Sequence, residues 1–467
     1  MRFLLPLLMT PLVLTAEEPL SLAEATTAAF ASNRDFLDAR SSVLRARLGT
    51  VTAQADVYAP RLEIDYTASN GSSDNGQAQA AVGIKTLGFD IRPYVRMDMS
   101  PQGTTTPAGN PGPQTTSAAG LSLSRRVFNI SEHLRQRLPV TRADQALFAA
   151  ANTLVIRARR LEVDAARAFL AVQNSQARLA VRERRVADAE AFLKSVRDRV
   201  DHGFAAPLDG LNAEIDLNQA RSDLNAEQTT LATARQDLND LLGRPLTTDL
   251  TIAPEAVGPE RIAAIPEPAI DTDATRVLAG NEDLGTQARA IDLAIEELRI
   301  ARDQLVPQVT ATLRAETRTV APGPFSEGVR DDKVASLAVS WDMPLDGFQA
   351  ERARARAAED ALTTALRRQE ALRADLERRL RGLHRRLAQE RTGLTLSERR
   401  LEVERARLEA VMRRYEAGLV DNLEVTRTKQ SLDSVELGIL NQRISIILLD
   451  AEYRSLLPVR PALLDGP

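Results

Sequence analysis

The chain has 467 residues, a net charge of -4, no cysteine and only 4% aromatic residues. The nearly neutral charge gives no electrostatic basis for binding nucleic acid. The lack of cysteine excludes disulfides, thiol catalysis and an acylated N-terminal cysteine. Alanine, leucine, arginine and glutamate dominate the composition, which favours long helices packed along aliphatic seams over compact cores.

The main feature of the sequence is an internal repeat. Residues 120–243 recur at 337–458, and the spacing settles to a constant 215 residues. The matched pairs include Glu183-Arg184-Arg185 with Glu398-Arg399-Arg400, Gly203 with Gly418, Leu208 with Leu423, and Leu217 with Leu432. Upstream of this segment the spacing is 247 or 248, so roughly thirty extra residues lie between Pro60 and Ala119 of the first copy. The chain is therefore one unit written twice.

The first residues have the pattern of a secretory signal. A basic start is followed by a short apolar run and a small residue, Ala16. This run is too short to span a bilayer as a helix. We expect residues 1–16 to be a signal peptide, with the cleavage position left open.

The remaining chain divides into two repeats. The first, 17–243, has a helix, a β-hairpin at 61–128, and a long helical hairpin at 131–242 with its tip near 203–208. A linker at 244–269 and the second repeat at 270–458 follow. The second repeat has a helix, a β-hairpin at 308–345, a helical hairpin at 347–457 with its tip near 418–423, and then a tail at 459–467.

The strand segments show an alternation of apolar and polar residues. Leu62, Ile64 and Tyr66 alternate with polar neighbours, and each such segment has about ten residues, the length of a tilted membrane strand. A half-buried sheet of a soluble domain gives the same pattern. Position between very long helices, after a signal segment, favours the membrane, with Tyr66 and Trp341 as interface aromatics. Residues 80–99 also alternate and are either a further strand pair or an extracellular flap.

The long helices carry heptad seams. In the second copy an apolar residue falls every seventh position at Leu380, Leu387, Leu394, Leu401, Leu408 and Tyr415. This register indicates antiparallel coiled-coil packing, and each helix would be on the order of 100 Å long. A glycine after the last seam residue, Gly203 or Gly418, indicates the end of each long helix.

The number of predicted strands indicates that several chains assemble together. The two hairpins predict four strands per chain, which cannot close a barrel, and open sheet edges are not tolerated in lipid. Other copies of the chain must supply the missing strands. Three chains would provide twelve strands and six helical hairpins.

The sequence resembles the TolC-like outer-membrane efflux channels over nearly the whole mature chain. The resemblance rests on the order of elements and on three motifs, which are Ala59-Pro60-Arg61-Leu62, Gly203-x4-Leu208-Asp209, and Arg414-Tyr415-x2-Gly418-x4-Leu423-Glu424-Val425. It implies a homotrimer with a twelve-stranded barrel in the outer membrane, continued by a coiled-coil α-barrel through the periplasm. It also implies docking on a periplasmic adaptor and an inner-membrane pump of the RND, ABC or MFS type, and it implies no cofactor.

The resemblance further implies a gate at the helix tips. Tyr415 and Glu424 match the gate tyrosine and inner acid of the family, and Asp421 and Asp209 are further gate candidates. The match fails at Val420, where some members have a linking arginine, and at Arg427, where a second acid can stand. Packing in the heptad seam for Tyr415, and a first-turn acid for Glu424, are the plainer alternatives. Gly203, Leu208, Gly418 and Leu423 are candidates for contact with the adaptor.

Other functions have less support. The three histidines, His133, His202 and His384, are widely spaced and lack a second ligand at metal-binding separation, and no phosphate loop or nucleophile elbow is present. We therefore expect no enzyme and no metal site. The alternative function is a periplasmic coiled-coil adaptor or scaffold without a pore. The cargo, the identity of the pump and the resting state of the gate remain open.

Overall fold

The structure is a computed structural model that describes residues 19–69, 75–86, 89–100, 114–127, 131–203, 206–252, 258–321, 330–344 and 346–458. The expected signal peptide and C-terminal tail lie outside the described residues, as does part of the linker. The expected class, mainly helical with an antiparallel sheet, is confirmed.

The described elements in chain order are α1 (Leu22–Ser32), α2 (Arg34–Tyr58), β1 (Arg61–Ser69), β2 (Asn75–Thr86), β3 (Phe89–Ser100), β4 (Gln114–Arg126), α3 (Glu132–Asp201), α4 (Pro207–Leu241), α5 (Pro259–Ala263), α6 (Ile270–Gly280), α7 (Glu282–Asp303), β5 (Gln308–Ala321), β6 (Arg330–Asp342), α8 (Gln349–Glu416) and α9 (Asn422–Leu456).

The two helical hairpins end in the same way. Gly203 and Gly418 follow α3 and α8 with φ of 78° and 72°, a left-handed conformation that glycine adopts without a steric penalty. The return helices then begin at favourable residues. Pro207 is the first residue of α4, and the Asp421 side chain caps α9 by accepting from the Glu424 backbone N at 2.9 Å. Both return helices have 35 residues.

The described residues form two compact units. The helical unit comprises 19–40, 153–282 and 374–458, and its core includes the fully buried Phe169, Leu238, Leu387 and Ile446. Buried Asn239 fixes the start of the linker, because its side-chain amide donates to the Thr248 carbonyl at 2.9 Å. The strand unit comprises the described parts of 41–152 and 283–373.

The strand unit contains a single six-stranded antiparallel sheet in the order β1-β2-β3-β4-β5-β6. The expectation of four strands was therefore wrong in number. The two additional strands, β2 and β3, occupy the extra residues of the first copy, which alternate as regularly as the strands on either side. Each strand pairs with the next one along the chain, so the inner strands have a partner on both sides; the β2–β3 pairing is interrupted opposite Pro93, which has no backbone N–H.

The sheet has two chemically different faces. Pairing of Tyr66 with Ala78, and of Ala78 with Met97, places every second residue of neighbouring strands on one side. That side exposes the large apolar residues Leu62, Ile64, Tyr66, Val95, Met97, Met99, Leu121, Leu313, Leu337, Val339 and Trp341. The opposite side has Glu63, Asp65, Asp90, Arg92, Arg96, Arg314, Glu316 and Arg318. One side is therefore suited to lipid and the other to water.

A glycine allows a contact across the polar face. Tyr94 of β3, Gly120 of β4 and Glu316 of β5 are opposite each other in register. The buried Tyr94 hydroxyl donates to the Glu316 carboxylate directly over Gly120. A Cβ atom at position 120 would lie 2.8 Å from Tyr94 Oη, Glu316 Cβ and the Ala315 carbonyl oxygen. Only glycine leaves room for this hydrogen bond.

None of the helices in these described segments is long and apolar enough to cross a membrane.

We expect Gly120→Ala to destabilise the sheet, because its Cβ atom must displace Tyr94 from Glu316. Overpacking of this kind costs about 1–3 kcal/mol. The temperature at which the folded form disappears on unboiled SDS gels measures the effect. Gly83→Ala is the matched control, since the nearest atom to its added Cβ is 3.9 Å away. Equal stability of the two variants would contradict this role of Gly120.

Candidate functional site

The tips of the two helical hairpins pack together in the helical unit. We call their shared apolar core the tip cluster; it contains Ala189, Phe192, Leu193 and Val196 of α3, Ala213, Leu217 and Ala220 of α4, Val411 and Tyr415 of α8, and Val425 of α9. Helices from both repeats contribute to it. The second hairpin therefore cannot move away from the first without exposing this core.

Tyr415 is the most constrained of the expected gate residues. Its buried ring lies 5.5 Å from the Phe192 ring, and the Arg199 guanidinium lies 4.7 Å above it. Arg199 also donates to the Tyr415 carbonyl oxygen at 3.4 Å. Burial raises the pKa of the Tyr415 hydroxyl, although the positive charge of Arg199 opposes this shift. The tyrosine is therefore a neutral packing and cation–π partner at physiological pH.

The contact of Arg199 with Tyr415 was not predicted from the sequence. Val420, where some members of the resembling family have an arginine, packs against the tip cluster. A guanidinium nevertheless reaches Tyr415, from helix α3 of the other hairpin. Arg199 lies in an arginine-rich helix, and nothing in the local sequence distinguishes it from its neighbours.

A second link joins the first turns of α4 and α9. Asn422 is buried, and its side-chain amide donates to the Asp209 carbonyl oxygen at 3.1 Å. The Asp209 carboxylate accepts from the Ala206 backbone N at 3.1 Å, and Asp421 caps α9. The structure thus brings Tyr415, Asp209 and the first turn with Glu424 into one region. Asn422 was not predicted, although its position after the cap marks it as a first-turn residue.

A buried ionic cluster lies further from the tip. Arg185 of α3 donates to both carboxylate oxygens of Asp216 of α4, at 2.6 and 2.7 Å. From α9, Gln430 donates to Asp216 at 3.3 Å, and Asp433 lies 3.7 Å from Arg185. Burial raises the pKa of Asp433, while Arg185 opposes this shift. The cluster adds polar links between the hairpins beyond those at the tip.

The remaining candidates lie on surfaces. Leu208 and Leu423, expected to contact an adaptor, are exposed next to the tip glycines. Tyr66 and Trp341, the expected interface aromatics, are exposed on the apolar face of the sheet. Across the described ranges no group of three or more histidine or acidic side chains could hold a metal ion.

We expect Arg185→Ala to lower the stability of the helical unit by about 3–5 kcal/mol, because it leaves the buried Asp216 carboxylate without its guanidinium partner. The measurement is the loss of helical circular dichroism on heating. The control is Arg221→Ala, which breaks a pair with Glu190 between the same two helices. Side chains in the Arg185–Asp216 pair are 6% and 8% exposed, against 57% and 52% in the control pair.

The control should therefore cost no more than about 1 kcal/mol. Equal losses of stability in the two variants would mean that the buried Arg185–Asp216 pair stabilises the helices no more than an exposed ion pair does.

A two-faced sheet joined to long antiparallel helical hairpins defines a class of outer-membrane channel proteins. Comparison by sequence identifies the family directly. Residues 25–244 and 274–447 match the profile described as outer membrane efflux protein. The chain belongs to this family, which is a family of channels and not of enzymes.

Solved structures agree on the fold. CusC has 17% identity, with 94% of this chain and 92% of that chain covered at a TM-score of 0.69. OprN has 18% identity, coverages of 93% and 89%, and a TM-score of 0.67. VceC from Vibrio cholerae has 15% identity, coverages of 93% and 95%, and a TM-score of 0.65. At these identities the likeness concerns the fold alone. No curated protein matches the chain.

Proposed function

We propose that the chain is the outer-membrane channel-tunnel of a tripartite efflux or type I secretion system. In this proposal it assembles as a homotrimer and passively conducts substrates to the outside from a periplasmic adaptor and an inner-membrane pump of the RND, ABC or MFS type. The tips of its helical hairpins lie in the periplasm and form the gate.

The observation that carries the proposal is the two-faced sheet with two unpaired edges. Its apolar face fits lipid, and its polar face fits a water-filled lumen. Among the strands that the structure describes, β1 and β6 each have a neighbour on one side only. Unpaired backbone groups cost several kcal/mol each in lipid, so these edges need strands from other copies.

The repeat supports assembly independently. Helix α7 of the second copy buries Ile291 and Leu298 and bonds to both α3 and α8, through Thr286 and Gln287. The corresponding helix of the first copy, α2, leaves its apolar residues Leu44, Leu48, Val51 and Tyr58 exposed. Phe36 at the start of α2 packs in the core, but the exposed apolar residues from Leu44 to Tyr58 fit against another copy.

The proposed gate follows from the tip contacts. Separation of the second hairpin from the first must break the contacts of Arg199 with Tyr415 and of Asn422 with Asp209. It must also uncover part of the tip cluster. MtrE from Neisseria gonorrhoeae, 16% identical, has been solved as an open outer membrane channel, which supports an opening motion for this fold. Three copies of Glu424 near one axis would favour cations at the constriction.

We expect Tyr415→Ala combined with Glu424→Ala to increase single-channel conductance in planar bilayers and to reduce preference for cations. Arg199→Gln alone should increase the open fraction, because it removes both the cation–π contact and a hydrogen bond. Arg197→Gln is the control, since Arg197 is an exposed neighbour whose ion pair is with exposed Glu214. Unchanged conductance in the Tyr415 and Glu424 double variant would remove the gate assignment.

We expect Leu208→Asp combined with Leu423→Asp to weaken docking of the adaptor while leaving conductance intact. Burying a charge in place of an apolar contact costs about 2 kcal/mol or more, which is roughly thirtyfold in affinity. Co-purification with the adaptor and efflux from intact cells measure the loss. Leu246→Asp, at an exposed leucine of the linker, is the control. Normal docking by the double variant would place the adaptor contact elsewhere.

The alternative function is an adaptor or scaffold without a pore. Membership in the efflux-channel family and the apolar face of the sheet favour the channel. The two functions differ in fractionation and in conductance. A channel is extracted from the outer membrane only with detergent and conducts ions in a bilayer. A freely soluble protein without conductance would overturn the proposal.

A further inference from the structure

We propose that the trimer closes a barrel of eighteen strands, six from each copy, rather than twelve. The proposal rests on the homotrimer of the proposed function and adds the architecture of its outlet. In this arrangement β6 of each copy pairs with β1 of the next. The question is whether β2 and β3 belong to the barrel wall or form a flap outside it.

Pairing places them in the wall. β1 pairs with β2 from Arg61 to Ser69, and β3 pairs with β4 from Phe89 to Ser100. Both pairings run the full length of the shorter strand. A twelve-stranded barrel would require β1 to lie directly beside β4, and the β2–β3 hairpin would have to leave the sheet.

The faces of the inserted hairpin continue those of the other strands. On the apolar face β2 contributes Ala78, Ala80, Val82 and Ile84, and β3 contributes Phe89, Ile91, Val95, Met97 and Met99. On the polar face the hairpin contributes Gln77, Gln79, Lys85, Asp90, Arg92 and Arg96. An extracellular flap surrounded by water has no reason to keep one continuous apolar face. A lipid-facing wall requires it.

The hydrogen bond across Gly120 also ties the insertion to the repeat strands. Tyr94 belongs to the inserted β3, and Glu316 belongs to β5 of the second copy. They meet only because β3, β4 and β5 are adjacent in register. Gly120 provides the space for this hydrogen bond. The contact therefore supports β3 as a strand of the same sheet as β4 and β5.

The lengths of the connections between strands also support β2 and β3 as strands of the barrel wall. β2 ends at Thr86 and β3 begins at Phe89, so this connection has two residues; it joins the strands at the end of the sheet where β1 begins and β4 ends. The connections at the opposite end are longer, at 70–74, 101–113 and 322–329. Short periplasmic turns and longer outer loops are the rule for outer-membrane barrels. Barrel diameter grows roughly linearly with strand number, so the outlet would be about half again as wide as with twelve strands.

Electron cryomicroscopy of the detergent-purified full chain tests the proposal directly. A trimeric channel with eighteen wall strands is the expected result. A trimeric channel with twelve strands would overturn this inference and leave the proposed function standing. A protein without trimers or conductance would overturn both.

Cross-linking provides a second readout, because the chain has no cysteine of its own. Tyr66, Ala78, Met97 and Ser117 lie level across β1 to β4. A short bifunctional maleimide should join Tyr66→Cys to Ala78→Cys within one chain. It should not join Tyr66→Cys to Ser117→Cys, since two strands separate them. Efficient joining of the second pair would mean that β1 lies beside β4.

The 215-residue repeat also supports a separate proposal about how the hairpin tips of different copies contact each other. We infer that a second copy packs its second hairpin on an exposed stripe of α4 formed by Leu211 and Ile215. Ile215 is 67% exposed, a large apolar surface to leave in water. α4 and α9 are equivalent in the repeat, so the surface that α9 uses toward α3 and α4 has a counterpart on α4.

Each contact between the hairpins of one chain predicts a contact between copies. Gln430 with Asp216 becomes Ile215 with Ser431 of a second copy. Lys429 over the Phe192 ring becomes Glu214 with Arg407 of a second copy, a pair of opposite charges. Asp433 with Arg185 becomes Asn218 with Arg400 of a second copy, which is no ion pair. The contact between copies is therefore more apolar at Ile215 than the contact within a chain.

Cysteine pairs test this inference with a matched control. A bifunctional maleimide should join Ile215→Cys to Ser431→Cys between chains and produce linked dimers and trimers on denaturing gels. The control pair, Asn174→Cys with Asn441→Cys, replaces two asparagines that are hydrogen bonded within one chain at 3.0 Å, so it should be joined within one chain and migrate as a monomer. Exclusively monomeric product from the first pair in a trimeric preparation would overturn this inference alone. A protein that forms no trimer would overturn the proposed function as well.

Discussion

The backbone hydrogen bonds at the two edges of the sheet are the constraint on which the rest depends. Each inner strand of the described sheet has a partner on both sides, but β1 and β6 have one partner each. In the proposed channel the apolar face lies in lipid, where no water can bond to these edges. The proposed functional unit therefore contains several chains, and the duplicated helical hairpins allow those chains to repeat around one axis.

Duplication alone would produce two equal hairpins, but the tips are unequal. Tyr415 of the second hairpin replaces Val200 of the first, and Asn422 replaces Pro207. These exchanges give the second hairpin a cation–π contact and a buried amide directed at the first hairpin. The second hairpin thus has polar contacts with the first that duplication alone does not supply, which suits the proposed gating motion.

Several features could be predicted from the sequence because they depend on local periodicity. Heptads indicate the long helices, alternation indicates strands, and Gly203 and Gly418 indicate the tips. Strand number could not be settled in this way, since alternation at 80–99 fits both a wall and a flap. Arg199, Asn422 and the Arg185–Asp216 pair were missed because their partners lie on other helices, at sequence separations from 31 to 216 residues.

The sequence by itself therefore determined the repeat, the helix ends, the alternating strands and the resemblance to an efflux-channel family. These follow from spacing along one chain, which needs no knowledge of distant neighbours. Only the tertiary structure decided that the sheet has six strands and that α3 supplies the arginine above Tyr415. Both depend on which segments pack side by side, and that is set by the combined free energy of many long-range contacts rather than by any local pattern.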